Sequence, residues 1–210
     1  METASSISPV RRPGRIDGRR LRSERTKQLI IEAFLALLRD RPVMPTAVQI
    51  AERAGYSVRS IFERFPDLIA LRVAATDYAL AQAAALAPAR HVTADRATRI
   101  RSQVETRAGT CERGVPLWRV LLNSEDDNGV LASRIARSRE GTVGRLELMY
   151  KPELTTLSDV ERKHTLIALE AITDHESWAR MRETFNLSVE EACNVWVDAI
   201  DRLLPPTPAF

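Results

Sequence analysis

The stretch TAVQIAERAGYSVRSIFERF, residues 46–65, decides the reading of this chain. Thr46 is a good helix N-cap, and Gln49 three residues on completes a capping box. Ile50, Ala51 and Ala54 give the helix that follows a small apolar face, which another helix can approach closely. Gly55 stops it, where the backbone turns with φ > 0 at little steric cost. Ser57 caps a second helix whose apolar positions Ile61 and Phe65 lie four apart, with Phe62 flanking them. Val58, Arg59, Ser60, Glu63 and Arg64 are left outward. That is the build of a helix-turn-helix, one helix bracing and the second able to enter a major groove. Short helical hairpins with a Gly turn are also common in all-α proteins, so the pattern alone leaves both readings open.

The local sequence resembles the DNA-binding domain of the tetracycline-repressor (TetR) family. Thr46, the run Ile50-Ala51-Glu52-Arg53-Ala54-Gly55, Ser57, the run Ile61-Phe62-Glu63-Arg64-Phe65-Pro66 and Leu71 carry the resemblance. It is close over about residues 20–75 and general elsewhere. Three positions depart from the family pattern. Phe62 stands where a phosphate-bonding Tyr is usual, keeping the packing and losing the bond. Leu68 stands where a Lys is usual, and Arg64 replaces a His. The resemblance implies a DNA-binding regulator whose phosphate anchoring is distributed differently.

Charge is distributed as that reading requires. Residues 1–65 hold 13 Lys and Arg against 7 Asp and Glu, whereas the remainder holds 18 against 21, within a formal net charge of +3. A basic end on a mildly acidic body suits a nucleic-acid-binding head. Residues 1–22 contain Arg11, Arg12, Arg15, Arg19, Arg20 and Arg22 beside Pro9, Pro13, Gly14 and Gly18, predicting a flexible basic arm that follows phosphates or enters a minor groove. Because only three of the 31 basic residues are Lys, a compositional bias toward Arg explains their type, though not their clustering.

The remaining chain reads as all-α, about nine helices with no strand. The first long helix runs from Ser23 to about Arg39, with Ile30, Phe34 and Leu37 on one stripe. Pro66 suits the first turn of a helix that stops near Pro88, and another begins at Thr93 and breaks at Gly114 and Pro116. A short helix, PLWRVLLN, follows, then a longer one closed by Pro152. Ser158 starts the next, and Ser188-Val189-Glu190-Glu191 is a capping box that predicts a last helix, Val189–Leu204. The implied organisation is an arm at 1–22, a helix-turn-helix domain at 23–66, and a ligand-binding and dimerisation domain at 67–210.

Catalytic and metal chemistry find little support. Asp174-His175-Glu176 groups three potential ligands, but consecutive helical residues diverge by about 100° and cannot converge on one metal. No HExxH, GxSxG or Gly-rich phosphate loop occurs. His91, His164 and His175 therefore read as solvated or capping residues, and no enzyme or cofactor is expected. Cys111 and Cys193 read as small buried apolar residues in a reducing compartment. No run approaches the ~18 apolar residues of a membrane span, so a cytoplasmic protein is expected.

The resemblance further implies a body cavity for a small-molecule effector. Its expected lining is Tyr78, Val104, Cys111, Trp118, Leu122 and Met149, with Arg101 and Arg107 on or near the same segments, read as solvated charges ahead of the alternative that they meet an acidic ligand group. Core packing is the alternative for Trp118. The last helix carries a broad apolar stripe, Ala192, Val195, Trp196, Ala199, Ile200 and Leu203, which would pair across a two-fold axis into a four-helix bundle. Burial within one protomer is the alternative. The expected protein is a homodimeric, ligand-responsive bacterial transcriptional regulator, a repressor by family habit, on a pseudo-palindromic operator in double-stranded DNA. Arg59 and Ser60, with Val58, would face base edges. Thr46, Tyr56 and Arg64, with Arg15, Arg19 and Arg20 of the arm, would hold phosphates, and Ser57 and Phe62 complete the interface. A TetR-like small-molecule or protein-interaction module that has lost operator binding is the second reading.

Overall fold

The computed structural model describes residues 18–122 and 129–208 of the chain. Within them every regular element is helical: α1 (Gly18–Asp40), α2 (Ala47–Ala54), α3 (Val58–Phe62), α4 (Leu68–Leu86), α5 (Arg96–Leu122), α6 (Val130–Met149), α7 (Lys151–Leu154), α8 (Asp159–Ile172), α9 (His175–Ala179) and α10 (Val189–Leu203), with a π-helical turn at Arg180–Thr184. None of these helices is long and apolar enough to cross a membrane.

Local chemistry sets most of the boundaries. Thr46 accepts from Gln49 N, and the Gln49 side chain returns the bond, forming the capping box of α2. Gly55 ends α2 at φ 72°, ψ 31°, donating to the Ala51 and Glu52 carbonyls. Ser57 caps α3 by accepting from Ser60 N. Ser158 with Glu161 and Ser188 with Glu191 form the boxes of α8 and α10. The chain after Pro66 departs slightly from expectation: Asp67 is itself the N-cap of α4, accepting from Ala70 N.

Three boundaries need correction. First, α1 begins at Gly18, not Ser23, so Gly18–Arg22 belong to a helix rather than to an arm. Arg and Leu are good helix formers, and a Gly at the first position escapes most of its mid-helix cost. The arm residues before it, Arg11, Arg12 and Arg15 among them, lie outside the described residues, as does the Arg19 side chain.

Second, α5 runs unbroken through Gly114 and Pro116. Pro116 costs about 3 kcal/mol by denying the Glu112 carbonyl its usual donor. Val115, Trp118, Val120 and Leu121 are buried around it, and each is worth about 1.5–3 kcal/mol. Burial wins. Gly114 serves close packing instead, since a Cβ there would lie 2.7 Å from His175 Nε2. Third, Pro152 does not close α6 but sits in the first turn of α7, where its missing N–H is harmless.

Two apolar cores organise the helices. Ile30, Phe34 and Leu38 of α1 pack with Ile50, Ala51, Ile61, Phe65, Leu71 and Ala75, and Val120 of α5 joins them. The larger core gathers Val104, Ala108 and Cys111 of α5 with Leu146 and Met149 of α6, Leu166 and Leu169 of α8, and Trp178, Trp196 and Ile200. Both cysteines are buried and free, and burial pushes the Cys111 thiol up to about 11.

A buried ion pair ties α5 to α7. Arg99 donates to both Glu153 oxygens at 2.6 and 2.8 Å and to the Met149 carbonyl at 2.6 Å. Thr207 donates to the same carboxylate at 2.5 Å, and Arg96 holds the Asp201, Leu204 and Pro205 carbonyls. The chain end after α10 is thereby fixed to the start of α5.

Candidate nucleic-acid interface and body cavity

The capped turn between α2 and α3 presents one face of α3 outward. Arg59 projects furthest, its side chain 88% exposed, and its Nε donates to Glu63 Oε1 at 3.0 Å. Ser57 and Ser60 bond each other through their hydroxyls at 3.0 Å, and Thr46 is exposed beside them. Val58 is less available than its spacing suggested, half-buried against the smaller core. Tyr56 also packs on that core, its hydroxyl 3.4 Å from Thr26 Oγ1.

Two side chains behave differently from expectation. Arg64 turns back: Nη1 donates to the Ser60 carbonyl at 2.8 Å and lies 3.6 Å from Glu63, leaving the side chain 22% exposed. It closes the C-terminal end of α3 rather than reaching out. Phe62 does not keep the packing expected of it, being 45% exposed. Ile61 and Phe65 fill the inner stripe, and the position between them faces away.

A cavity of about 500 Å³ opens between the two cores. Leu35 and Leu38 of α1, Tyr78 of α4, Leu117, Trp118 and Leu121 of α5, Ile135 of α6 and His175 of α9 are among its walls. Its size and mostly apolar lining are those of small-molecule sites. Tyr78 donates to Glu32 at 2.9 Å, and Arg134 pairs with Asp77 at 2.6 and 2.8 Å. The Trp118 and His175 rings stack at 4.5 Å with 14° between planes, and Arg139 lies over the indole at 5.7 Å.

Of the residues expected to line a cavity, Tyr78 and Trp118 do. Val104, Cys111 and Met149 instead sit in the solid larger core, and Leu122 is exposed. The reason is position along α5: the earlier residues Val104, Ala108 and Cys111 pack into the larger core, while the cavity lies along the later part of the helix, mainly from Arg113 to Leu121. Arg107 donates to the Thr173 carbonyl at 2.7 Å.

His175, expected to be solvated or capping, is buried. Burial, then the charges of Arg107 and Arg139, push its imidazole down to about 3, so the ring is neutral at ordinary pH. Trp178, three residues on along the same short helix, was the available sign that this position faces inward.

The stripe expected at a dimer contact divides. Ala192, Trp196 and Ile200 are buried within the protomer, Trp196 at 1% exposure against Trp178, with ring centroids 4.9 Å apart. Val195 and Leu203 remain 47% and 42% exposed with Ala199 between them. Trp196, expected at the contact, is therefore a core residue.

No family model matches the chain, and no curated protein does. Solved structures do. A TetR-family transcriptional regulator from Streptomyces coelicolor superposes with TM-score 0.72 at 15% identity, over 86% of this chain and 80% of that one. The chain has the TetR-family fold. A Rhodococcus protein assigned to the TetR family gives TM-score 0.68 at 20% identity, over 85% and 98% of the two chains. A transcriptional regulator from Pseudomonas aeruginosa gives 0.59 at 19% identity, over 89% and 95%. The smaller core joins α1–α3 to α4 and to Val120 of α5, and the larger core gathers residues of α5–α10.

Proposed function

We propose that this chain is a ligand-responsive, DNA-binding transcriptional regulator, a repressor acting as a homodimer on a pseudo-palindromic operator. The observation that carries the reading is the capped, left-handed turn that holds Arg59 almost free of the protein surface at the first turn of α3. Arg59 reads guanine, Ser60 and the exposed edge of Val58 contact neighbouring base edges, and Thr46, Ser57 and Tyr56 hold phosphates. Arg20 and Arg22, on the first turns of α1, and the basic residues before them add sequence-independent attraction. The proposed head spans residues 18–66, and residues 67–210 bind the effector and the second protomer.

Dimerisation uses the apolar residues that one protomer leaves uncovered: Val195, Ala199 and Leu203 of α10, with Val160 and Ile167 of α8. The effector occupies the cavity that has Tyr78 and Trp118 in its walls. The decisive experiment is selection of bound fragments from a genomic library, followed by titration of the selected duplex at several salt concentrations. A regulator gives an enriched palindrome and a linear fall of log K with log salt. Absence of any salt-dependent binding would refute the reading.

A specific observation favours the second reading, a TetR-like module without operator binding. Glu63 engages both Arg59 and Arg64, and Phe62 and Leu68 supply no phosphate donor. The same selection decides between the two.

A further inference from the structure

A second cleft, of about 440 Å³, adjoins the apolar cavity where α5 passes the connection from α4. The two share the side chains of Leu86 and Arg113 as walls. Their chemistry is opposite. Arg90, Arg101 and Arg113 border the cleft, against the single carboxylate of Glu105. None of these three guanidinium groups has an ion-pair partner among the described residues, whereas Arg96, Arg99 and Arg119 of α5 are all paired. Arg113 joins the sites. A Cβ at Gly109 would stand 3.5 Å from its Nη1, so the bare Gly109 surface lets this guanidinium lie over the cleft. The same residue also borders the cavity.

The cavity itself is mostly apolar. Its α1 wall holds both Glu32 and Arg39, and Arg134 is paired with Asp77. A ligand that satisfies both compartments has an apolar body for the first and several acceptor oxygens for the second. Three forked donors around one opening match a phosphate-type group, which takes guanidinium bonds on more than one edge.

We infer that the effector is an amphipathic small molecule, an apolar chain or ring in the cavity carrying a phosphate-type head that lies between Arg90, Arg101 and Arg113. The inference rests on the proposed effector role of the cavity and names the class of molecule that fills it.

Isothermal titration of the full chain with monooctyl phosphate, 1-octanol and inorganic phosphate tests it. Octyl phosphate should bind at least about tenfold more tightly than octanol, as expected for charge-assisted bonds, and more tightly than inorganic phosphate. The double variant Arg90→Gln, Arg101→Gln changes only exposed side chains and should abolish the preference while leaving octanol binding and the circular dichroism unchanged. Equal binding of octanol and octyl phosphate would overturn the head assignment and leave the cavity reading standing. Equal binding of inorganic and octyl phosphate would overturn the linked site. No binding of any probe would remove both readings together. Partition onto phosphatidate vesicles without binding of monomeric octyl phosphate would overturn the inference in favour of a membrane surface.

Discussion

Arg59→Ala separates base reading from general attraction. In the free protein Arg59 Nε is occupied by Glu63, 3.0 Å away, which leaves the two terminal nitrogens directed outward. That end-on pair has the spacing to donate to O6 and N7 of one guanine. The Arg59–Glu63 pair is exposed and one helical turn apart, so it is worth only about 0.3–0.5 kcal/mol, and its loss barely affects folding. A lost bidentate guanine contact is worth about 1–3 kcal/mol, or roughly 5- to 150-fold in affinity. The binding effect therefore dominates. Operator affinity should fall by that factor and preference should relax at one base pair per half-site, while non-specific affinity falls much less.

The assay titrates each variant against the selected operator and a scrambled duplex at one salt concentration. Arg64→Ala is the control. Its guanidinium closes the end of α3 on the Ser60 carbonyl at 2.8 Å, so its loss should loosen the helix and weaken both duplexes alike. Equal weakening of both duplexes by Arg59→Ala, with changed base preference from Arg64→Ala, would mean that α3 enters the groove rotated from this placement.

Three further outcomes are expected. Glu153→Ala strands Arg99 in the interior and should cost about 3–5 kcal/mol by urea denaturation. Burial pushes the Glu153 carboxyl up, but bonds from Arg99 and Thr207 outweigh it and hold the group below 4.5; that stabilisation is present above the ordinary value and lost as pH falls through the lower, folded one. His175 has the opposite charge type: the unfolded chain takes up its proton below about 6.5 while the folded ring stays neutral down to about 3. Wild-type stability should therefore fall as pH drops from 7 to 5.5, with a slope approaching ~1.4 kcal/mol per unit from this group, and urea midpoints of His175→Gln should show a shallower fall. Val195→Glu with Leu203→Glu should give a folded monomer by light scattering, whereas Trp196→Glu should unfold the protomer; a folded dimer in the first case would remove the proposed contact.

Legibility in the sequence followed the range of the forces involved. The turn from Thr46 to Ser57 was readable because capping boxes and a left-handed Gly are settled within a few residues. The box at Ser188 placed α10 to within a residue of its observed end. Pro116 misled because a local penalty was outvoted by burial against distant helices. Trp196 and Phe62 misled for a related reason. Periodicity marks which residues share a face, but not whether that face meets another part of the same chain, a second chain or water. For the cavity, the stripe Val104, Ala108, Cys111 was visible, yet the cavity lies further along α5, where Arg113, Gly114 and Pro116 break the apolar pattern.

The position of that cavity bears on how an effector would act in the proposed regulator. Leu38 belongs to the smaller core and also borders the cavity, and Val120 in that core is followed by Leu121 in the cavity wall. The two sites therefore share residues and need no relay between them. Helix α4 makes the same connection along its length: Leu71 and Ala75 lie in the smaller core with α1, and Tyr78, Gln82 and Leu86 border the cavity. Its 19 residues form a rod of about 28 Å, so a tilt of roughly 5° about one end moves the other by roughly 2.5 Å. In a dimer whose two recognition helices must meet major grooves about 34 Å apart, a shift of that size on each side spoils the register. A tenfold loss of operator affinity requires only that the effector favour the tilted state by about 1.4 kcal/mol. A single apolar side chain gained or lost from the cavity wall supplies that much.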